Sequence, residues 1–185
     1  MNPSPNLFII GATGAGKTSI GRRLSAHYEL SFVDLDQEIE RDTGASVSMV
    51  FEIEGEAGFR ARESLLLDAC TQRNGVILAT GAGAILAAAN RQRLVARGFV
   101  IWLQTSVEQQ MQRLQRDTQR PLLAGTDRRA RLQAMSDIRQ PLYQTIADLV
   151  VAGQEGSVSA ASERCIALLG QHWQRQALSE AQQPA

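Results

Sequence analysis

Lysine is almost missing from this chain. Of its 19 basic side chains 18 are arginine, and Lys17 is the one lysine. Bulk charge is missing too: Asp and Glu also number 19, so the formal net charge is zero. That balance gives no reason to expect a nucleic-acid or membrane surface held by an excess of one sign. Only two cysteines are present, Cys70 and Cys165, with no C-x-x-C or metal-ligand spacing. Nothing in that spacing points to a disulfide framework or a thiolate metal site, and reduced, buried thiols are the expectation. No run approaches the roughly 20 apolar residues of a membrane span. Residues Met1 to Asn6 carry neither a basic n-region nor an apolar h-region, so the expected location is cytoplasmic. The length of 185 residues fits one domain, against a soft prior of about 150 residues per domain.

The bland reading is a genome-wide bias toward arginine with one lysine surviving by chance; a use for an ammonium at Lys17 ranks ahead of it. A compact, flexible ammonium suits a phosphate site better than a planar guanidinium does.

What is present alternates between strand and helix patterns. Short apolar runs read as strands at Leu7–Ile10, Ser31–Asp34, Val76–Ala79, Phe99–Leu103 and Leu149–Val151. Between them, helical patterns run from Lys17 to about Tyr28, Glu38 to Arg41, Ser46 to Ile53, Glu56 to Gln72, Asn90 to Arg97, onward from a Ser106 N-cap, and Ser159 to His172. Strands alternating with helices predict an α/β fold with a central parallel five-stranded sheet covered on both faces. No repeat or linker marks a second domain, and the polar run from Ser179 to Ala185 is expected to be a disordered tail.

Gly11-Ala12-Thr13-Gly14-Ala15-Gly16-Lys17-Thr18 matches the G-x-x-x-x-G-K-[ST] phosphate loop. The glycines allow a tight loop whose backbone N–H groups converge on phosphate oxygens. The helix behind presents its partly positive N-terminus to the same anion. In that arrangement Lys17 reaches the outer phosphates and the Thr18 hydroxyl ligates Mg²⁺. The bland reading, a strand–turn–helix corner that needs glycine, does not explain the Lys-Thr pair. The motif points to a nucleoside triphosphate but does not name the reaction.

Asp34 and Asp36 follow the second strand at its carboxyl end, the edge where open α/β sheets bind ligands. A carboxylate there holds a metal-bound water or takes a proton from an attacking hydroxyl. The competing reading is that Asp36 caps the helix that follows.

With these come Thr43-Gly44, Phe51, Gly55-Glu56, Phe59-Arg60 with Glu63, Thr80-Gly81-Ala82-Gly83, Arg120-Pro121-Leu122-Leu123 and Arg139-Gln140-Pro141-Leu142-Tyr143. This ordered set, from about Leu7 to Val151, resembles the shikimate kinase family. The resemblance implies a three-layer P-loop kinase fold with a substrate-binding helical segment near 36–63 and a closing lid near 115–127. It implies transfer of the ATP γ-phosphoryl to the 3-hydroxyl of shikimate by a monomer using Mg²⁺. By this resemblance Gly14, Ala15, Gly16, Lys17, Thr18, Ser19, Arg113 and Arg120 bind the nucleotide, and Thr18 and Asp34 stand near the metal. Asp36, Arg60, Ala82 and Arg139 bind the substrate, Glu63 orients Arg60, and Lys17, Asp36 and Arg120 are catalytic. Guanidinium pairs suit a carboxylate because they bind it bidentately.

Two departures qualify the likeness. The family usually has Gly-Gly-Gly where this chain has Gly81-Ala82-Gly83, and alanine causes trouble there only if its φ must be positive or if its methyl crowds the ligand. Residues Ala152 to Ser159, expected near adenine, do not align cleanly, so Gln154, Glu155 and Gly156 are equal candidates for that contact. Two alternatives therefore stay open. One is a kinase of another hydroxy acid such as gluconate. The other is a catalytically weak nucleotide-binding module, which only Ala82 suggests.

Overall fold

Five apolar runs become the strands β1 (Leu7–Ile10), β2 (Ser31–Asp34), β3 (Val76–Ala79), β4 (Phe99–Leu103) and β5 (Leu149–Val151). In this computed structural model, which describes residues 4–115, 127–153 and 156–174, they form one parallel sheet in the order β2-β3-β1-β4-β5. The helices are α1 (Lys17–Tyr28), α2 (Leu35–Thr43), α3 (Val47–Thr71), α4 (Ala88–Arg97), α5 (Val107–Arg113), α6 (Arg128–Ile146) and α7 (Val158–His172). A single 3-10 turn, Ala84–Leu86, follows β3. Among the described residues no helix is long and apolar enough to cross a membrane.

The sheet is buried on both faces because successive side chains point to opposite sides. Leu7 and Ile9 of β1, with Phe99, Ile101 and Leu103 of β4, pack with Leu24 of α1 and Leu169 of α7. Phe8 and Ile10, with Val100 and Trp102, pack on the opposite face with Leu67 of α3, Leu94 of α4 and Tyr143 of α6. The free thiols Cys70 and Cys165 are buried in these two layers. Burial pushes both thiols up, Cys165 to about 11, so they are inert structural groups.

Helix boundaries follow local chemistry. Gly44 ends α2 in the left-handed region at φ 68°, and Ser46 caps α3. The expected break between two helical patterns lies at Gly55, whose φ of 68° and ψ of −179° kink α3 without ending it. Ser106 and Gln109 form a reciprocal capping box at α5, as a Ser-x-x-Gln spacing permits. Helix α2 is longer than its pattern suggested. It starts directly after β2, and its cap is Asp34, not Asp36: Asp34 Oδ1 accepts the Asp36 backbone N–H at 3.1 Å.

Helix α6 has no counterpart in the sequence reading. Its buried face comprises Leu132, Ser136, Arg139, Tyr143 and Ile146, so two polar residues interrupt the apolar period, and Pro141 inside it reads as a breaker.

At the amino end of the sheet Asn6 is buried and ties three segments together. Its Nδ2 donates to the Arg73 carbonyl at 2.8 Å and the Arg97 carbonyl at 3.3 Å, and its Oδ1 accepts from Val76 N at 3.2 Å. Truncation leaves those backbone groups without their partner. The Asn6→Ala variant is therefore expected to lose about 2–4 kcal/mol of unfolding free energy in chemical denaturation.

Candidate active site

The parallel register brings four loops together at the carboxyl edge. Asp34 lies opposite Ala79, Ile9 lies between Ala79 and Ile101, and Thr80 N donates to the Ile9 carbonyl. The 11–16 loop, the Asp34–Asp36 segment, the 80–83 turn and the end of β4 therefore start side by side.

The 11–16 loop closes on itself through Ala15 N donating to the Ala12 carbonyl at 3.2 Å. Gly16 caps α1 at φ 89°, a conformation that L side chains avoid. A Cβ on Gly11 would stand 2.6 Å from the Leu103 carbonyl, which seats the loop against β4. The Lys17 ammonium lies over the loop, donating to the Gly11 and Ala12 carbonyls at 2.9 Å each. Thr18 and Ser19 lie in the first turn of α1, Ser19 being exposed. Arg113, at the end of α5, donates to the Gly14 carbonyl at 3.1 Å, so it stands beside the same loop.

The Thr18 hydroxyl donates to Asp34 Oδ2 at 2.7 Å. This is a pair of hard oxygen donors next to the loop. Among the described residues no group of three or more His, Cys, Asp or Glu could cage a metal. The pair fits a small hard cation such as Mg²⁺, which prefers few protein ligands and takes the rest from phosphate and water.

On the other side of Asp36 is a cluster of charge. Arg60, on α3, donates from Nη1 to Glu63 Oε2 at 2.7 Å and lies 3.5 Å from Glu56 Oε1. Its guanidinium packs on the Phe59 ring at 5.3 Å. The 81–83 turn presses on this cluster. A Cβ on Gly83 would come within 2.4 Å of both terminal nitrogens of Arg60, and one on Gly81 within 2.4 Å of Glu63 Oε1 and 3.2 Å of Asp36 Oδ1. Ala82, between them, is not in the left-handed region. Among the described residues only Glu29 is a non-glycine with positive φ, so the alanine imposes no backbone strain.

Arg139 completes the group from α6 and is only 9% exposed. Burial is the largest influence on both ends of the cluster. It pushes the Glu63 carboxyl up despite Arg60, and pushes the Arg139 guanidinium down, with Arg60 adding like-charge repulsion. Glu63 Oε1 and Arg60 Nε are buried without a hydrogen-bond partner, so this cluster is polar and incompletely satisfied, as functional sites often are.

The structure thus brings together Gly14, Ala15, Gly16, Lys17, Thr18, Asp34 and Arg113 around one loop, and Asp36, Arg60, Ala82 and Arg139 around the next. Arg120 and most of the expected lid lie outside the described residues, as do Gln154, Glu155 and the 179–185 tail. Tyr143 is the contact that sequence reasoning missed: its hydroxyl donates to the Ala82 carbonyl at 2.7 Å. The residue stood in a quoted motif, but no spacing rule connects it to a turn 61 positions earlier. Both histidines, His27 and His172, are exposed and remote in role.

A family model described as shikimate kinase matches residues 13–169. A shikimate kinase of Bordetella pertussis is 54% identical over 145 residues, covering 78% of this chain and 69% of that one. A shikimate kinase of Alteromonas mediterranea is 45% identical over 165 residues, covering 89% and 96%. Among solved structures, shikimate kinase from Acinetobacter baumannii in complex with shikimate is similar at TM-score 0.88 and 42% identity, covering 91% of this chain and 94% of that one. A gluconokinase from Sinorhizobium meliloti shares only the fold, at 13% identity and TM-score 0.59. A model spanning most of the sequence, close relatives and the residues gathered at the carboxyl edge agree: the chain belongs to the shikimate kinase family.

Proposed function

We propose that this chain transfers the γ-phosphoryl group of ATP to the 3-hydroxyl of shikimate, giving ADP and shikimate 3-phosphate. The observation that carries this reading is the adjacency, along one sheet edge, of a phosphate loop and the Arg60–Arg139 pair, whose guanidiniums suit a carboxylate. Asp36 stands between them, one face toward the turn at Gly81.

Each residue has a chemical task. The backbone N–H groups of Gly14 to Ser19 and the Lys17 ammonium hold the phosphates and offset the charge that spreads over them during transfer. Arg113 holds the nucleotide side of the loop. Arg60 and Arg139 grip the acceptor carboxylate, Glu63 keeps Arg60 in line, and the turn at Ala82 floors the pocket. Asp36 accepts the proton as the hydroxyl oxygen forms its bond to phosphorus. The bond from phosphorus to the bridging oxygen then breaks, and ADP leaves with the electron pair. Thr18 and Asp34 would hold Mg²⁺, which when bound supplies charge neutralisation at the phosphate oxygens. Arg120 would add a further positive charge at the same stage. Such catalysis is mainly positioning and electrostatics.

The reading is tested by coupled ADP release with ATP, Mg²⁺ and shikimate, beside gluconate and a control without acceptor. Shikimate-dependent release is expected, lost in Lys17→Ala and on chelation of divalent cations. Turnover with gluconate alone would overturn the substrate assignment. Asp36→Asn should lower kcat by about 10²–10⁴-fold, the usual worth of a positioned base; near-full turnover would remove that role. Gly83→Ala, whose methyl must displace the Arg60 guanidinium, should raise the shikimate KM by about tenfold, the scale of one charge-assisted hydrogen bond. The KM for ATP should not change.

A further inference from the structure

Tyr143 is 2% exposed and stacks on Trp102, with ring centroids 5.7 Å apart and planes 25° apart. Phenylalanine would satisfy that packing. A buried hydroxyl costs free energy unless it is bonded, and this one donates to the Ala82 carbonyl at 2.7 Å. In a trans peptide the carbonyl and the following N–H point opposite ways. A fixed Ala82 carbonyl therefore fixes the orientation of the Ala82–Gly83 peptide, and with it the Gly83 N–H. The turn and the Arg60 guanidinium are close, since the Cβ position of Gly83 lies 2.4 Å from the Arg60 terminal nitrogens.

The other end of this link is equally specific. Tyr143 and Arg139 are four residues apart on α6, so they share one helix face, and both are buried. The hydroxyl thus fastens the helix that carries Arg139 to the turn that abuts Arg60.

We propose that Tyr143 is a positioning residue for the acceptor carboxylate, its hydroxyl setting the spacing between Arg139 and the Arg60–Gly83 face of the site. This rests on the reading above, in which those two arginines hold the carboxylate. Tyr143 touches no reacting atom in this scheme. Its loss is felt in acceptor binding and not in phosphoryl transfer or nucleotide binding.

The experiment is steady-state kinetics of Tyr143→Phe in the full chain, with shikimate, shikimate methyl ester and ATP varied separately. The KM for shikimate is expected to rise about three- to tenfold, the scale of one neutral hydrogen bond. The values of kcat and the KM for ATP stay within about twofold, and the variant and wild type handle the ester alike, because the ester lacks the charge being positioned. An unchanged shikimate KM overturns the proposal, and so do parallel losses for ATP and shikimate, which would mean a purely structural role. A wild type without shikimate turnover overturns the functional reading and this inference with it. Should Tyr143→Phe fail to fold, the chain's two tyrosines allow a second measurement. With 3-fluorotyrosine incorporated, and the Tyr28→Phe variant giving the assignment, saturating shikimate should shift the Tyr143 fluorine resonance and leave that of Tyr28 in place. No shift at Tyr143 overturns the proposal.

Discussion

Two like-charged guanidiniums have to be held near one another in a mostly dehydrated setting. Arg60 and Arg139 repel, and burial penalises the charge on Arg139 further. Left to itself such a pair would swing apart into water, because an exposed guanidinium is far better solvated. The fold prevents this from three directions. Glu63, one turn along α3, takes Arg60 at 2.7 Å. The Gly81–Gly83 turn leaves the guanidinium no room on its side. Helix α6 carries Arg139 into the layer that also buries Trp102 and Tyr143.

The rest of the architecture can be understood as support for that arrangement and for the phosphate loop beside it. A parallel sheet places all its strand ends at one edge, so that residues distant in sequence start from adjacent positions. Both faces of the sheet are sealed by apolar side chains, which leaves the edge as the place where polar groups can converge. The kink at Gly55 lets one long helix both cover α2 and bring Arg60 to that edge.

Much of this was legible in the sequence because it is local. All five strands, the phosphate loop, the Ser106 cap and the Gly55 break each rest on residues within a few positions of one another. Resemblance to a known family supplied the pairing of Arg60 with Arg139, which no local rule yields. What stayed hidden has a physical cause in each case. Helix α6 was masked because its buried face includes Ser136 and Arg139 and its interior holds Pro141, so hydrophobic periodicity and breaker rules both pointed away from a helix. The cap of α2 went to Asp34 instead of Asp36 because the helix begins with no intervening loop, which strand and helix patterns cannot locate to a residue. Ala82 raised two concerns, a positive φ and a methyl that crowds the ligand; the first is a question about one backbone angle, which no sequence pattern reveals and the structure answers.

The solitary lysine has a consequence of a different kind. Its ammonium rests on the Gly11 and Ala12 carbonyls inside the phosphate loop, and the other 18 of the 19 lysine and arginine side chains are guanidiniums. Apart from the α-amino group, the protein therefore offers amine-directed reagents one target, and that target lies over the phosphate loop, the nucleotide site of the proposed function. Acylating or aldehyde reagents, which modify most proteins at scattered surface lysines, become site-directed probes here. Protection by a bound nucleotide can be read as the presence or absence of a single adduct.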